Sequence, residues 1–335
     1  MRRNVCASRA SALAFALVVL PVLLASGADA QISPARAAVI ENAIGARVEA
    51  LTILGGDFGL SDGNFHSTGS QGLGSGAPVD TRITKFGGDG DVGSPKAFDG
   101  LHIGWQPTLQ GNMGYLESAT HLRGTLSAGD TSTLRIVAVE FGGGVRFWTT
   151  RKFSIAPSVM VLYGHANNSV SFAGASGRQA IATLESLGLV DWSVSTWSLR
   201  PAVDLQYVQP IGRILVTFSS DATGFYTHGF GRSNVHLTVG GASGFVTNKV
   251  DLDVPLGIAI AGHELRTGGY ISRTDLLGDL ESGLGVEHLN ELHGRLVLDF
   301  LNQWTGIQWL GVGASYLWGP HIHGWTAGAD VAFHF

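Results

Sequence analysis

The stretch WSLRPAVDLQY, residues 197–207, decides how the rest of the chain is read. Trp197, Leu199, Pro201, Val203, Leu205 and Tyr207 share one face, and Ser198, Arg200, Ala202, Asp204 and Gln206 share the other. Successive side chains of a strand point to opposite sides, so this order makes a strand with one apolar and one polar surface. The stretch WTAGADVAFHF, residues 325–335, repeats the pattern, with Trp325, Ala327, Ala329, Val331, Phe333 and Phe335 opposite Asp330 and His334. Ends left in water are usually polar and irregular, so the final residues read as a strand. Val246, Val250, Leu252, Val254 and Leu256 oppose Thr247, Lys249, Asp251 and Asp253 in the same way.

Composition says what the apolar faces meet. Only 14% of residues are charged and the mean hydropathy is positive, yet after Gln31 no apolar run approaches the roughly 18 residues a membrane helix needs. With 48 glycines and apolar residues at every second position, the hydrophobicity fits strands with one lipid-facing side. Backbone groups in hydrocarbon must be paired, so such strands have to close on themselves. The fold class is an all-β transmembrane protein: an antiparallel outer-membrane β-barrel of about 12 strands with one N-terminal helix.

The N-terminus supplies the compartment. Arg2, Arg3 and Arg9 precede an apolar run from Leu13 to Leu24, and Ala28-Asp29-Ala30 offers a cleavage site before Gln31. That layout predicts a secretory signal peptide over 1–30. Cys6, the one cysteine, falls inside it, which leaves no thiol for a disulfide, a thiolate metal site or a cysteine nucleophile. Residues 1–30 hold three of the 21 basic residues and one of the 26 acidic ones, so the remainder carries 18 against 25, a net charge of −7. Such a balance excludes an electrostatic case for nucleic acid.

Four segments follow from this reading: the signal peptide over 1–30, a helix over 31–54, a Gly/Ser-rich connector over 55–79 and the barrel over 80–335. Ser33-Pro34 is an N-cap and first-turn pair, Ile40, Ile44, Val48 and Leu51 recur at helical spacing, and Gly55-Gly56 ends the pattern. About 20 residues at 1.5 Å each span roughly 30 Å, the hydrocarbon thickness. Arg36, Glu41, Arg47 and Glu49 make the helix too polar for lipid, and it is expected inside a water-lined barrel as a plug, or else as a periplasmic or interfacial helix. Short connections are expected at Gln110-Gly111, 149–151, 209–212, 258–262 and 301–303, and longer ones at 88–98, 124–131, 165–191, 227–244, 275–285 and 319–323. The two classes alternate, as periplasmic turns and outside loops do in bacterial barrels.

Signal peptide, lumen-length helix, about twelve strands and the closing Val331, Phe333 and Phe335 together resemble the translocator barrel of bacterial autotransporters. With no passenger ahead of the helix, the likeness is to the solitary autotransporter β-barrels. The resemblance implies the outer membrane of a Gram-negative bacterium and a non-enzymatic pore or surface protein. As partners it implies outer-membrane lipids and lipopolysaccharide, periplasmic chaperones and the outer-membrane assembly machinery. It further implies that Val331, Phe333 and Phe335 form the signal that this machinery reads. The same residues also suit an aromatic girdle at the membrane interface.

Enzymatic chemistry finds little support. A serine hydrolase at the barrel rim needs its nucleophile within hydrogen-bond reach of a histidine base. The stretch YTHGFGRSN, residues 226–234, offers only His228 and Ser233, five residues apart. His321 and His323 alternate on a short hairpin without a third ligand. His66, His263, His288, His293 and His334 are scattered, and no phosphate loop or dinucleotide fingerprint occurs, so no cofactor is expected. A surface adhesin would rest on the long loop 165–191. Charges are more telling: Arg200, Asp204, Lys249, Asp251, Asp253, Arg266 and Asp330 fall on the predicted inner face, where lipid cannot penalise them by roughly 2–4 kcal/mol. They are expected to pair with Arg36, Glu41, Arg47 and Glu49 of the helix.

Overall fold

Period-2 alternation becomes a wall of long antiparallel strands. The computed structural model describes residues 34–53, 59–68, 79–93, 96–97, 104–121, 131–173, 190–233, 239–300 and 307–333. Helix α1 (Pro34–Ile53) is followed by β1 (Leu60–Ser67), β2 (Val79–Asp91), the two-residue rung β3 (Lys96–Ala97), β4 (Gly104–His121), β5 (Thr131–Trp148) and β6 (Phe153–Ser171). Then come β7 (Ser193–Ile211), β8 (Ile214–Phe230), β9 (Gly240–Ile260), β10 (His263–Gly278), the short helix α2 (Asp279–Leu284), β11 (His288–Asp299), β12 (Ile307–Gly319) and β13 (Ile322–Phe333). Neighbours pair in chain order from β4 to β13. β1 joins β13, and β2 bridges β1 to β4, so apart from the rung β3 the sheet is a closed ring of twelve strands. Closure pairs each of the twelve strands with a neighbour on both sides, as hydrocarbon requires.

Two stretches read differently in the chain and in the fold. Residues 60–67, within the expected connector, form β1. Their inward Ser61, Gly63, Phe65 and Ser67 and outward Leu60, Asp62, Asn64 and His66 give no apolar face, hence no period-2 signal. Gln110-Gly111 is not a turn. β4 runs straight through it, with Gln110 opposite Gly142 and Gly111 opposite Phe141. One strand gained and one merged leave the total at twelve.

The tight turns at 149–152, Gly212-Arg213 and Ala261-Gly262 lie at one end of the barrel, the turn end. Ala261 and Gly262 both have positive φ, 53° and 86°, the conformation that two-residue hairpins favour. The ends of β4 at His121, β6 at Ser171 and β8 at Phe230, with α2, lie at the opposite loop end. Two connections fall outside the expected length classes: Pro320-His321 is a two-residue turn at the loop end, and the link between β2 and β4 crosses the turn end.

Outward residues of the strands form an apolar belt, with Met113, Val137, Val139, Phe141, Val159, Leu199 and Val203 all open to the surroundings and Phe141 69% exposed. The inner face is not the uniformly polar lumen that alternation suggests. In the loop half it carries Ile83, Leu116, Leu134, Ile136, Ala138, Leu162, Val194, Phe225 and Phe245, packed on Ile44, Val48 and Leu51 of α1 in one core. Those inner residues are apolar because a helix, not water, is their neighbour.

α1 enters this sleeve from the loop end. Ile44 and Arg47 sit beside Ser132, Asn168 and Trp192, while the Thr52 carbonyl accepts a bond from Lys85 Nζ (3.3 Å) deeper in the bore. Residues 43–51 are buried all round, Val48 completely. Close approach depends on two wall glycines: a Cβ on Gly114 would meet Leu51 at 3.2 Å, and one on Gly164 would collide with Val48. The Gly164→Leu variant is therefore expected to loosen α1. Amide hydrogen exchange over residues 43–51 should rise while the strands stay protected, and unchanged protection of α1 would show that the contact is not tight.

Candidate functional site: the helix-filled bore

Polar groups interrupt the apolar sleeve and then replace it toward the turn end. Glu49, the buried acid of α1, is met by hydroxyls: Thr227 Oγ1 donates to one carboxylate oxygen and Ser243 Oγ to the other. Thr227 is itself 2.6 Å from Ser198 Oγ, and since its own proton goes to Glu49, Ser198 donates in that contact. One inward step beyond the wall position that holds Leu51 lies a buried ion pair. Arg200 Nη1 reaches Glu140 Oε1 at 2.7 Å, with side chains 7% and 1% exposed. Asn112 donates to the same oxygen at 3.1 Å, and the guanidinium lies 5.7 and 5.8 Å from the ring centres of Phe225 and Phe245. The pair is single-contact, so Glu140 Oε2 and Arg200 Nε have no hydrogen-bond partner among the described residues.

The turn half is a charged vestibule. Arg146 contacts Asp91 (3.3 Å), Asp204 (3.5 Å) and Gln206 (2.8 Å). Arg266 forks Asp253 at 3.0 Å and comes within 3.7 Å of Glu264 and Asp299. Arg295 forks Asp251 at 2.8 Å. Trp309 Nε1 donates to Asp330 at 3.1 Å, and Lys249 Nζ stands 5.0 Å over the Tyr270 ring. Bidentate geometry of this kind fixes side chains as well as neutralising them.

The structure therefore puts Arg200, Asp204, Lys249, Asp251, Asp253, Arg266 and Asp330 on the inner wall. For five of them the counter-ions differ from those expected. The ion pairs of Arg200, Asp204, Asp251, Asp253 and Arg266 run to other residues of the wall. On α1, Arg47 and Glu49 are buried and Glu41 is half-buried, whereas the side chain of Arg36 lies outside the described residues. Glu140, Arg146 and Arg295, the actual partners, were within reach of the same parity argument, since each sits at an inward position of an expected strand. Val331 is on β13, the side chain of Phe333 is outside the described residues, and so are His334 and Phe335.

His228 faces outward on β8, its ring 6.1 Å from that of Trp197. Ser233 lies past the strand end, where Ser193 N donates to its hydroxyl (2.8 Å). The two do not form a pair. Contacts between His and Ser occur elsewhere, His165 Nδ1 to Ser195 Oγ at 3.0 Å on the outer wall and His293 Nδ1 to Ser315 Oγ at 2.9 Å inside. Among the described residues no group of three His, Cys, Asp or Glu is placed to hold a metal ion.

The twelve-strand barrel fold is shared with solved autotransporter domains. The transport unit of the autotransporter AIDA-I from Escherichia coli superposes with a TM-score of 0.52 at 10% identity, covering 88% of this chain and 99% of that one. The β domain of the Bordetella autotransporter BrkA gives 0.47 at 14% identity, over 83% and 100%. The translocator domain of NalP from Neisseria meningitidis gives 0.46 at 14%, over 89% and 97%. No curated protein sequence matches the chain. The sequence profile of the solitary outer membrane autotransporter β-barrel domain matches residues 98–327. With more than half of its length in that match, the chain belongs to the solitary outer-membrane autotransporter β-barrel family.

Proposed function

We propose that the protein is a non-enzymatic outer-membrane barrel whose channel is held shut by α1 and whose loop end faces the cell exterior. The observation that carries this reading is the burial of residues 43–51 on every side. A helix that merely rested in a water-filled pore would keep a wet face. Here Leu51, Val48 and Ile44 belong to the same apolar core as the wall, and α2 folds in beside them with Leu280 fully buried. Longer connections at the loop end and tight turns at the other agree with the usual outside and periplasmic assignment. The hydrolase reading keeps no support from His228, which faces outward on β8, and Ser233, which lies past the strand end.

Liposome swelling tests the proposal. Vesicles carrying the intact protein are expected to exclude a small sugar as protein-free vesicles do. Swelling at the rate given by an open porin would overturn the closed reading.

A further inference from the structure

One row of the outer wall departs from the apolar belt. Following the hydrogen-bonded register across six strands, the outward residues are Tyr316, Trp325, Asn64, Arg82, Glu117 and Arg135. Two steps toward the turn end, the same strands present Val312, Ala329, Leu60, Phe86, Met113 and Val139. The row is thus a polar ledge along the upper border of the hydrocarbon-facing surface, at the seam where β13, β1 and β2 close the ring.

The ledge is concave. A cavity of about 600 Å³ opens there, within the range of ligand sites, and its lining includes Asn64, Asp80, Arg82, Glu117, Tyr316 and Trp325. Its polar groups are held in place. Arg82 forks Asp62 at 3.0 and 3.1 Å, Thr84 donates to Asp62 at 2.9 Å, Arg135 donates to Glu117 at 3.2 Å, and His66 contacts Asp80 at 2.8 Å. Exposure remains high, with Arg82 64% open along its side chain and Trp325 52% exposed.

We propose that this cavity binds the saccharide head of an outer-leaflet glycolipid. Carboxylates, an amide and a guanidinium supply paired donors and acceptors for ring hydroxyls, and the exposed faces of Trp325 and Tyr316 suit the apolar side of a sugar ring. Below the cavity the wall is shallow. Ala314, Ala327 and Ala329 are small there, and Ala329 is flanked by the exposed Val312 and Leu60, an apolar strip along which an acyl chain fits. The occupant thus straddles the boundary, head in the cavity and tail on the belt. A second copy of the barrel would bring a convex apolar wall to a concave polar ledge. This site lies outside the bore and is independent of whether α1 keeps the channel shut.

Native mass spectrometry of the full chain in detergent, with added rough-type lipopolysaccharide, whose core sugars carry free ring hydroxyls, as the probe, tests the assignment. One such glycolipid is expected to stay bound at collision energies that strip phosphatidylglycerol of similar chain length. Trp325→Ala and Asn64→Leu should each lower the bound fraction about tenfold, with heat-modifiable gel migration showing that both still fold. Arg273→Leu, which alters an outward arginine on another part of the wall, should leave it unchanged. Equal retention of phosphatidylglycerol, equal binding by the variants, or a dimer that Trp325→Ala dissolves would each overturn the assignment.

Discussion

A chain lacking residues 34–53 is expected to conduct ions at least roughly tenfold better than the intact protein in a planar bilayer, because a ring between the side-chain-filled eight-strand barrel and the open sixteen-strand porin leaves a bore once its plug is gone. The deletion has to stop short of Leu60. A cut extended to residue 79 would remove β1, which supplies eight pairings to β13 and eight to β2. Its product should lose heat-modifiable migration instead of gaining conductance. The pore left by the shorter deletion should favour cations, since its vestibule carries Asp91, Asp204, Asp251, Asp253, Glu264, Asp299 and Asp330 against Arg146, Lys249, Arg266 and Arg295. Equal conductance of intact and deleted protein would mean that α1 does not control the bore.

The second large effect concerns the floor beneath the plug. Arg200→Ala leaves Glu140 buried without its cation, and the cost is expected to be about 3–5 kcal/mol. It should be read as a lower guanidinium midpoint for loss of heat-modifiable migration in vesicles. The pair itself is worth much less than its removal by halves. Because Glu140 Oε2 and Arg200 Nε lack hydrogen-bond partners among the described residues, the double variant Glu140→Gln, Arg200→Met should recover most of the loss. A double variant as unstable as Arg200→Ala would show that the ion pair contributes net stability. Truncating Arg135, whose bond to Glu117 is solvent-exposed, should move the midpoint little.

How much of this was legible in the chain depends on what each face touches. Strands whose outward residues meet hydrocarbon declare themselves, and β7, with Trp197 to Tyr207 outward and Arg200 and Asp204 inward, is read correctly from its letters. β1 is silent because its outward face belongs to the polar ledge and its inward face holds small residues against the bore. β4 looks like two strands because Gln110-Gly111 copies the composition of a turn, although both residues sit in an unbroken ladder. The apolar sleeve was hidden for a different reason. Alternation reports contrast between faces, and where Ile136 points inward beside outward Val137, or Leu162 between outward Val161 and Tyr163, there is little contrast to detect. The inward position of the charges follows from their energetic exclusion from lipid. Their partners do not, because pairing depends on neighbours across strands that sequence spacing cannot supply.

The position of α1 at the head of the chain constrains how the barrel is made. The sleeve around the helix is drawn from β2, β4, β5, β6, β7, β8 and β9, strands that come from most of the circumference, and the ring shuts only when β13 meets β1. With the helix lying in the cleft of the unfinished sheet when the seam forms, no wall would have to part, and plugging and closure would be a single event in assembly. On that route a separate peptide of the α1 sequence, lacking the tether that keeps it at high local concentration, is expected to arrive too late to replace it.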